Sequence, residues 1–162
     1  MKYYNAMVVF EEIPNEITLA INITNCPCHC KGCHSKFLWE DVGTELDGYA
    51  IDDLVKKNNG VTCVCFMGGD SDPTYIDKMA AYVKYGLGLK VGWYSGRDFI
   101  DKFVDLTHFD YVKIGRYDEE LGGLNKETTN QRLYSVVSYE FGNDKHYKLE
   151  DITKLFWKKA AK

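Results

Sequence analysis

Only three prolines and four methionines occur in the 162 residues, and no stretch approaches the roughly 20 consecutive apolar residues that a membrane span needs. The first residues, Met1-Lys2-Tyr3-Tyr4-Asn5, lack the apolar centre and small-residue cleavage site of a secretory signal. Basic residues are not in excess. Twenty Lys and Arg face 24 Asp and Glu, a formal charge of −4, which argues against the basic stripe of a nucleic-acid binder. The short pairs Lys56-Lys57 and Lys158-Lys159 read as solvated surface. No phosphate-binding Gly-rich loop of the Walker type and no serine–histidine triad pattern is present. Low-complexity tracts, internal repeats and interdomain linkers are missing too, so a single domain over 1–162 is expected. With 45% hydrophobic residues and twelve tyrosines, the chain can bury roughly two-thirds of its unfolded surface without disulfide staples.

Cysteine, by contrast, is plentiful and crowded. Six are present, four of them within Asn25-Cys26-Pro27-Cys28-His29-Cys30-Lys31-Gly32-Cys33-His34. Cys26, Cys30 and Cys33 stand at C-x3-C-x2-C, with Cys28 between the first two. Thiolates are the ligands that iron–sulfur clusters, zinc and Cu(I) select. Without a secretory signal, clustered thiols point to a reducing cytoplasm, where they serve metal binding or catalysis more often than disulfides. Cys63 and Cys65, two apart on an apolar strand, read as small buried hydrophobes.

The order of elements alternates. Ile17, Leu19, Ile21 and Ile23 fall on one face of a strand that runs into the cysteine loop. A helix follows over Asp47 to about Lys57, stopped by Asn58-Asn59-Gly60. Val61 to Met67 is a continuous apolar run, as in a strand covered on both faces. Ser71 or Asp72 offers an N-cap before Pro73, and Ile76, Met79, Ala80 and Val83 form the stripe of a second helix ended by Gly86 and Gly88. Leu89 to Tyr94 is a strand, Arg97 to Leu106 an expected helix with Phe99, Ile100 and Phe103, and Tyr111 to Ile114 a strand. Gly115 to Gln131, including Glu119, Glu120 and Gly122-Gly123, is expected to be a mobile surface loop, and Arg132 to Tyr139 a late strand. Such alternation predicts an α/β fold with a mostly parallel sheet. The chain is too short for a closed eight-unit barrel of about 250 residues, so a partial, open (β/α) barrel is expected. The cysteine loop, Gly68-Gly69-Asp70, Tyr94-Ser95-Gly96-Arg97 and Gly115-Arg116 all follow strands and should converge at one end of the sheet.

A four-iron cluster held by three cysteines leaves one iron open to a substrate, whereas a filled set suits an electron carrier or a structural site. The spacing C-x3-C-x2-C resembles the radical S-adenosylmethionine (SAM) superfamily. Cys26-Pro27, Cys30-Lys31-Gly32-Cys33-His34, Gly68-Gly69-Asp70 and Thr129-Asn130-Gln131-Arg132 together are similar to its branch of anaerobic ribonucleoside-triphosphate reductase activating proteins. The resemblance implies a partial barrel of the radical SAM type. It also implies a 4Fe-4S cluster on Cys26, Cys30 and Cys33, and an oxidoreductase that cleaves SAM reductively to a 5'-deoxyadenosyl radical. The implied partner is the large anaerobic ribonucleotide reductase subunit, which receives a glycyl radical. An external flavodoxin or ferredoxin would supply the electron, since no second cluster motif is present.

By the same resemblance Gly68, Gly69 and Asp70 hold the methionyl ammonium of SAM, Gly32 and Cys33 offer backbone near the adenine, and His34 lies near the cluster or SAM. Ser95 and Arg97, with Tyr94, suit its carboxylate or ribose. Cys28 is not required as a ligand. Simpler readings stand beside these: a structural zinc site completed by Cys28, a plain strand-to-helix turn at Gly68-Gly69-Asp70, a surface histidine, and a helix cap at Ser95. Two other functions remain in view, an activase of a different glycyl-radical enzyme and a non-catalytic metal-binding module.

Overall fold

The computed structural model describes residues 1–142 and 144–157; the Lys158-Lys159 pair lies outside the described residues. One eight-stranded sheet runs through the molecule in the order β3-β1-β2-β4-β5-β6-β7-β8. Its strands are β1 (Lys2–Val9), β2 (Thr18–Ile23), β3 (Thr44–Glu45), β4 (Cys63–Met67), β5 (Lys90–Tyr94), β6 (Tyr111–Ile114), β7 (Arg132–Phe141) and β8 (Asp144–Asp151). The centre, β2-β4-β5-β6, is parallel. On one side β1 and β3 add antiparallel; on the other, β7 and β8 do the same.

This overturns the expected partial (β/α) barrel with a mostly parallel sheet. The sheet is mixed, and among the described residues only two α-helices accompany it, α1 (Gly48–Lys57) and α2 (Pro73–Ala81). Two causes are visible. The outer hairpins β1/β2 and β7/β8 contribute strands that no crossover helix joins. Arg97 to Leu106, expected to be helical, instead forms turns and leads into a 3-10 turn at Leu106–His108. There Asp101 accepts from Phe103 N–H and Asp105 from Thr107 N–H, so carboxylates take the bonds a helix would have used.

Elsewhere the local signals hold. The Asp47 carboxylate accepts from Ala50 N–H (2.9 Å) at the start of α1, and Asp72 from Tyr75 N–H (3.0 Å) at the start of α2, with Pro73 in its first turn. A π-helical turn, Tyr82–Leu87, extends α2 and stops where Gly88 turns left-handed (φ +67°).

Strand parity sorts the core into two faces. Leu19, Ile21, Ile23, Val64, Phe66, Val91, Trp93 and Val112 meet Ile51, Ile76, Met79 and Val83 of the helical layer. On the opposite face Cys63 and Cys65 are fully buried with Ile13 and Leu133. Burial raises both thiols well above their ordinary range. Gly92 lies opposite Cys65 in the sheet; a Cβ there would come 2.9 Å from Cys65 Sγ and 3.2 Å from Ile13 Cδ1. Bare backbone at that position lets the β1–β2 connection sit down on the sheet. Among the described residues no helix is long and apolar enough to cross a membrane.

Candidate functional site at the C-terminal ends of the parallel strands

Each parallel strand of the centre ends in one of the segments singled out by sequence. β2 runs into the cysteine loop, β4 into Gly68-Gly69-Asp70, β5 into Ser95-Gly96-Arg97, and β6 into Gly115-Arg116. Parallel direction puts these four ends on one edge, as expected.

Asp70 links three of them. It is fully buried, yet its Oδ1 accepts from the Ser95 hydroxyl (2.5 Å) and its Oδ2 from Gly96 N–H (2.9 Å). The Cys28 thiol reaches the same Oδ2 at 3.7 Å, so the cysteine loop is tied to the turns after β4 and β5. Arg97 donates through Nη2 to Asp70 O (2.7 Å) and through its backbone N–H to Ser95 Oγ (3.0 Å), while its guanidinium lies over the Phe99 ring. Each carbonyl of the Gly68-Gly69-Asp70 turn already accepts one bond. Trp93 Nε1 holds Gly68 O (2.8 Å), Asp72 N–H holds Gly69 O (3.1 Å), and Arg97 holds Asp70 O. Both glycines have positive φ (+105° and +91°), where a side chain would strain the backbone.

The cysteine loop is shaped by its own backbone. Cys26 N–H donates to Leu38 O (3.0 Å), Cys33 N–H to Cys30 O (3.1 Å) and Ser35 N–H to Cys33 Sγ (3.4 Å). Asn25, His29 and Gly32 take positive φ. All four loop cysteines are free and partly exposed. Accepting a hydrogen bond from Cys28 brings the Cys26 thiol down to about 6, and that same bond raises Cys28. His34 is exposed and shares a 2.8 Å hydrogen bond with the Ser35 hydroxyl. Tyr94 turns away from this edge; its hydroxyl donates to Glu12 O on the opposite face, so it does not join Ser95 and Arg97.

Several residues of the site have no role that the sequence assigns. Lys113 is buried and donates from Nζ to Ser95 O (3.2 Å) and Gly115 O (2.7 Å), fastening the ends of β5 and β6 together. Its one clue is a lysine in the middle of a short buried strand. Asn130 and Gln131, matched by resemblance but without a role, turn out to brace the loop after β6. Asn130 Nδ2 donates to Arg116 O (3.0 Å) and Gln131 Nε2 to Gly115 O (3.3 Å). Arg116 grips Asp98 through its backbone N–H and Nε, each at 3.0 Å. Thr128 and Thr129 hydroxyls bind Leu121 O and Gly122 O. The segment expected to be a mobile surface is therefore pinned at both ends.

Among the described residues no three His, Cys, Asp or Glu side chains are grouped so as to hold a metal ion as they stand. The donor chemistry nonetheless fits a thiolate-ligated cluster: Cys26, Cys30 and Cys33 are unbridged, partly exposed and within one short loop. Cys28 has one thiol proton, within reach of both Cys26 and Asp70 Oδ2. Replacing Cys28 with alanine is expected to leave iron uptake intact, because the loop keeps its three other thiols. It should loosen the link to Asp70, read as faster proteolytic nicking between Asn25 and Ser35. Loss of iron in that variant would make Cys28 a ligand instead. No family model, curated protein or solved structure matches this chain.

Proposed function

We propose that the chain is an iron–sulfur activase that reductively cleaves SAM and generates a glycyl radical on the large subunit of an anaerobic ribonucleotide reductase. The observation that carries this reading is the buried Asp70, which joins the cysteine loop to the turns after β4 and β5 on one sheet edge. On this reading Cys26, Cys30 and Cys33 hold a 4Fe-4S cluster, and Cys28 positions their loop. When bound, the cluster would supply the electron that splits the sulfonium and an open iron for the amino-acid end of SAM.

The rest falls to the protein's own groups. The second lone pairs of the Gly68, Gly69 and Asp70 carbonyls suit the N–H groups of the methionyl amino group. Arg97 keeps guanidinium N–H groups beyond the one on Asp70 O, and these suit a carboxylate. Gly32 offers backbone beside Cys33. The reading needs no barrel, since the four segments already meet on the parallel edge of a mixed sheet. It places the protein in a reducing cytoplasm with a flavodoxin or ferredoxin as electron donor.

Anaerobic reconstitution should give about four irons and matching acid-labile sulfide per chain, and reduction with SAM present should release 5'-deoxyadenosine. Cys30→Ala should abolish both, whereas Cys63→Ala, altering a thiol on the far face of the sheet, should keep cluster and turnover. One zinc per chain with no labile sulfide would mean a metal-binding module instead.

A further inference from the structure

The loop after β6 does more than close the sheet edge. Its Glu119 side chain lies directly on Gly32, between the second and third cysteines of the C-x3-C-x2-C set. A Cβ on Gly32 would come 2.9 Å from each of Glu119 Cβ, Cδ and Oε2. Gly32 also has φ +74°, so glycine there serves both the turn and the approach of this side chain. Two residues before Glu119, the Tyr117 ring meets His34 edge-on with centroids 6.4 Å apart. The loop holding both is not slack: Arg116 is clamped to Asp98, Asp118 Oδ1 accepts from Glu120 N–H (2.9 Å), and Gly122 N–H returns to Asp118 O (2.8 Å). Among the described residues the Glu119 carboxylate has neither a hydrogen-bond nor an ion-pair partner. An anion is thus held over the backbone between Cys30 and Cys33 with its charge unspent.

We infer that Glu119 is a specificity residue of the site, a carboxylate over the cysteine loop whose field favours a co-substrate of net positive charge, SAM, over its net-neutral thioether, S-adenosylhomocysteine. The inference rests on the function proposed above. A single charge about 4 Å from an ion changes its local concentration by a few-fold in water, and by more where the dielectric is lower. The side chain is exposed and unpartnered, so its replacement leaves packing and internal hydrogen bonds intact.

Two measurements test it. On the cluster-free full chain, Cys30 and Cys33 are modified with cationic and with anionic methanethiosulfonate reagents, and the rates are read by peptide mass spectrometry. The ratio of the two rates cancels any change in thiol ionisation. It should fall roughly fivefold in Glu119→Gln and drop further in Glu119→Lys; a ratio unchanged in both variants overturns the inference. On reconstituted protein, Glu119→Gln should weaken SAM binding about three- to tenfold and leave S-adenosylhomocysteine unmoved, whereas equal shifts overturn it. A chain that takes up no cluster and binds no SAM overturns the proposed function and this inference together. A chain that binds SAM with an affinity indifferent to Glu119→Gln overturns this inference alone.

Discussion

Asp70→Ala should lower the unfolding free energy by about 3 kcal/mol, because it strands the buried Ser95 hydroxyl and the half-buried Gly96 N–H and removes the Cys28 contact. Each orphaned buried donor costs about 1–3 kcal/mol. Asp70→Asn keeps one acceptor but turns an amide toward a donor, so a loss of about 1–2 kcal/mol is expected. Urea titration of the cluster-free chain measures both, as a shift of midpoint at constant slope. A loss under about 1 kcal/mol in the alanine variant would show that the three segments hold together without this residue. The case for one composite site would then weaken.

The second large effect is a pH dependence. Burial pushes Lys113 down to about 8 from its ordinary 10.5, even though Asp70, Cys30 and Cys28 pull the other way. Between those two values the unfolded chain binds the proton that the folded chain has released, so stability rises with pH across that window. Below about 8 the ammonium is charged in both states and the full cost of burying it is present. The difference amounts to about 3 kcal/mol, from 1.36 kcal/mol per unit of displacement. The Cys26–Cys28 pair adds slopes of both signs, since their hydrogen bond lowers Cys26 and raises Cys28. Subtracting the stability curve of Lys113→Met from that of the natural chain isolates the lysine. Their difference should be flat below pH 8 and change between 8 and 10.5; a difference flat throughout would mean that Lys113 is not desolvated in solution.

What could be read from the residues depended on whether the deciding interaction was local. α2 was legible because its start and its buried stripe lie in one stretch: Asp72 and Pro73 open it, and Ile76, Met79, Ala80 and Val83 face the sheet. The four parallel strands β2, β4, β5 and β6 were legible for the same reason. β1 and β8 were not, since their side chains are largely partly buried or exposed and show no clean alternation of apolar and polar positions. The error over Arg97 to Leu106 came from weighing Phe99, Ile100 and Phe103 as a helical stripe. Phe99 and Phe103 stand exposed, and Asp101 and Asp105 cap local turns instead.

The site divides along the same line. Strand order brought the cysteine loop, Gly68-Gly69-Asp70 and Ser95-Gly96-Arg97 to one edge without any knowledge of distant contacts. Lys113, the Cys28 link and Glu119 on Gly32 needed the tertiary structure, because each joins positions far apart in the chain. Tyr94 was misassigned for a simpler reason. Its neighbour Ser95 follows the opposite parity, and a one-residue step along a strand changes the face that a side chain meets.

The Gly68-Gly69-Asp70 carbonyls, each with a single lone pair already committed, have a stereochemical consequence. The Trp93 indole, the start of α2 and Arg97 each occupy one of those lone pairs, which leaves one acceptor direction per carbonyl. On the function proposed above, an amino group reaching these carbonyls would need its own N–H hydrogens to do so, and an amine whose hydrogens are replaced by methyl groups would be refused for its shape while its charge stayed the same.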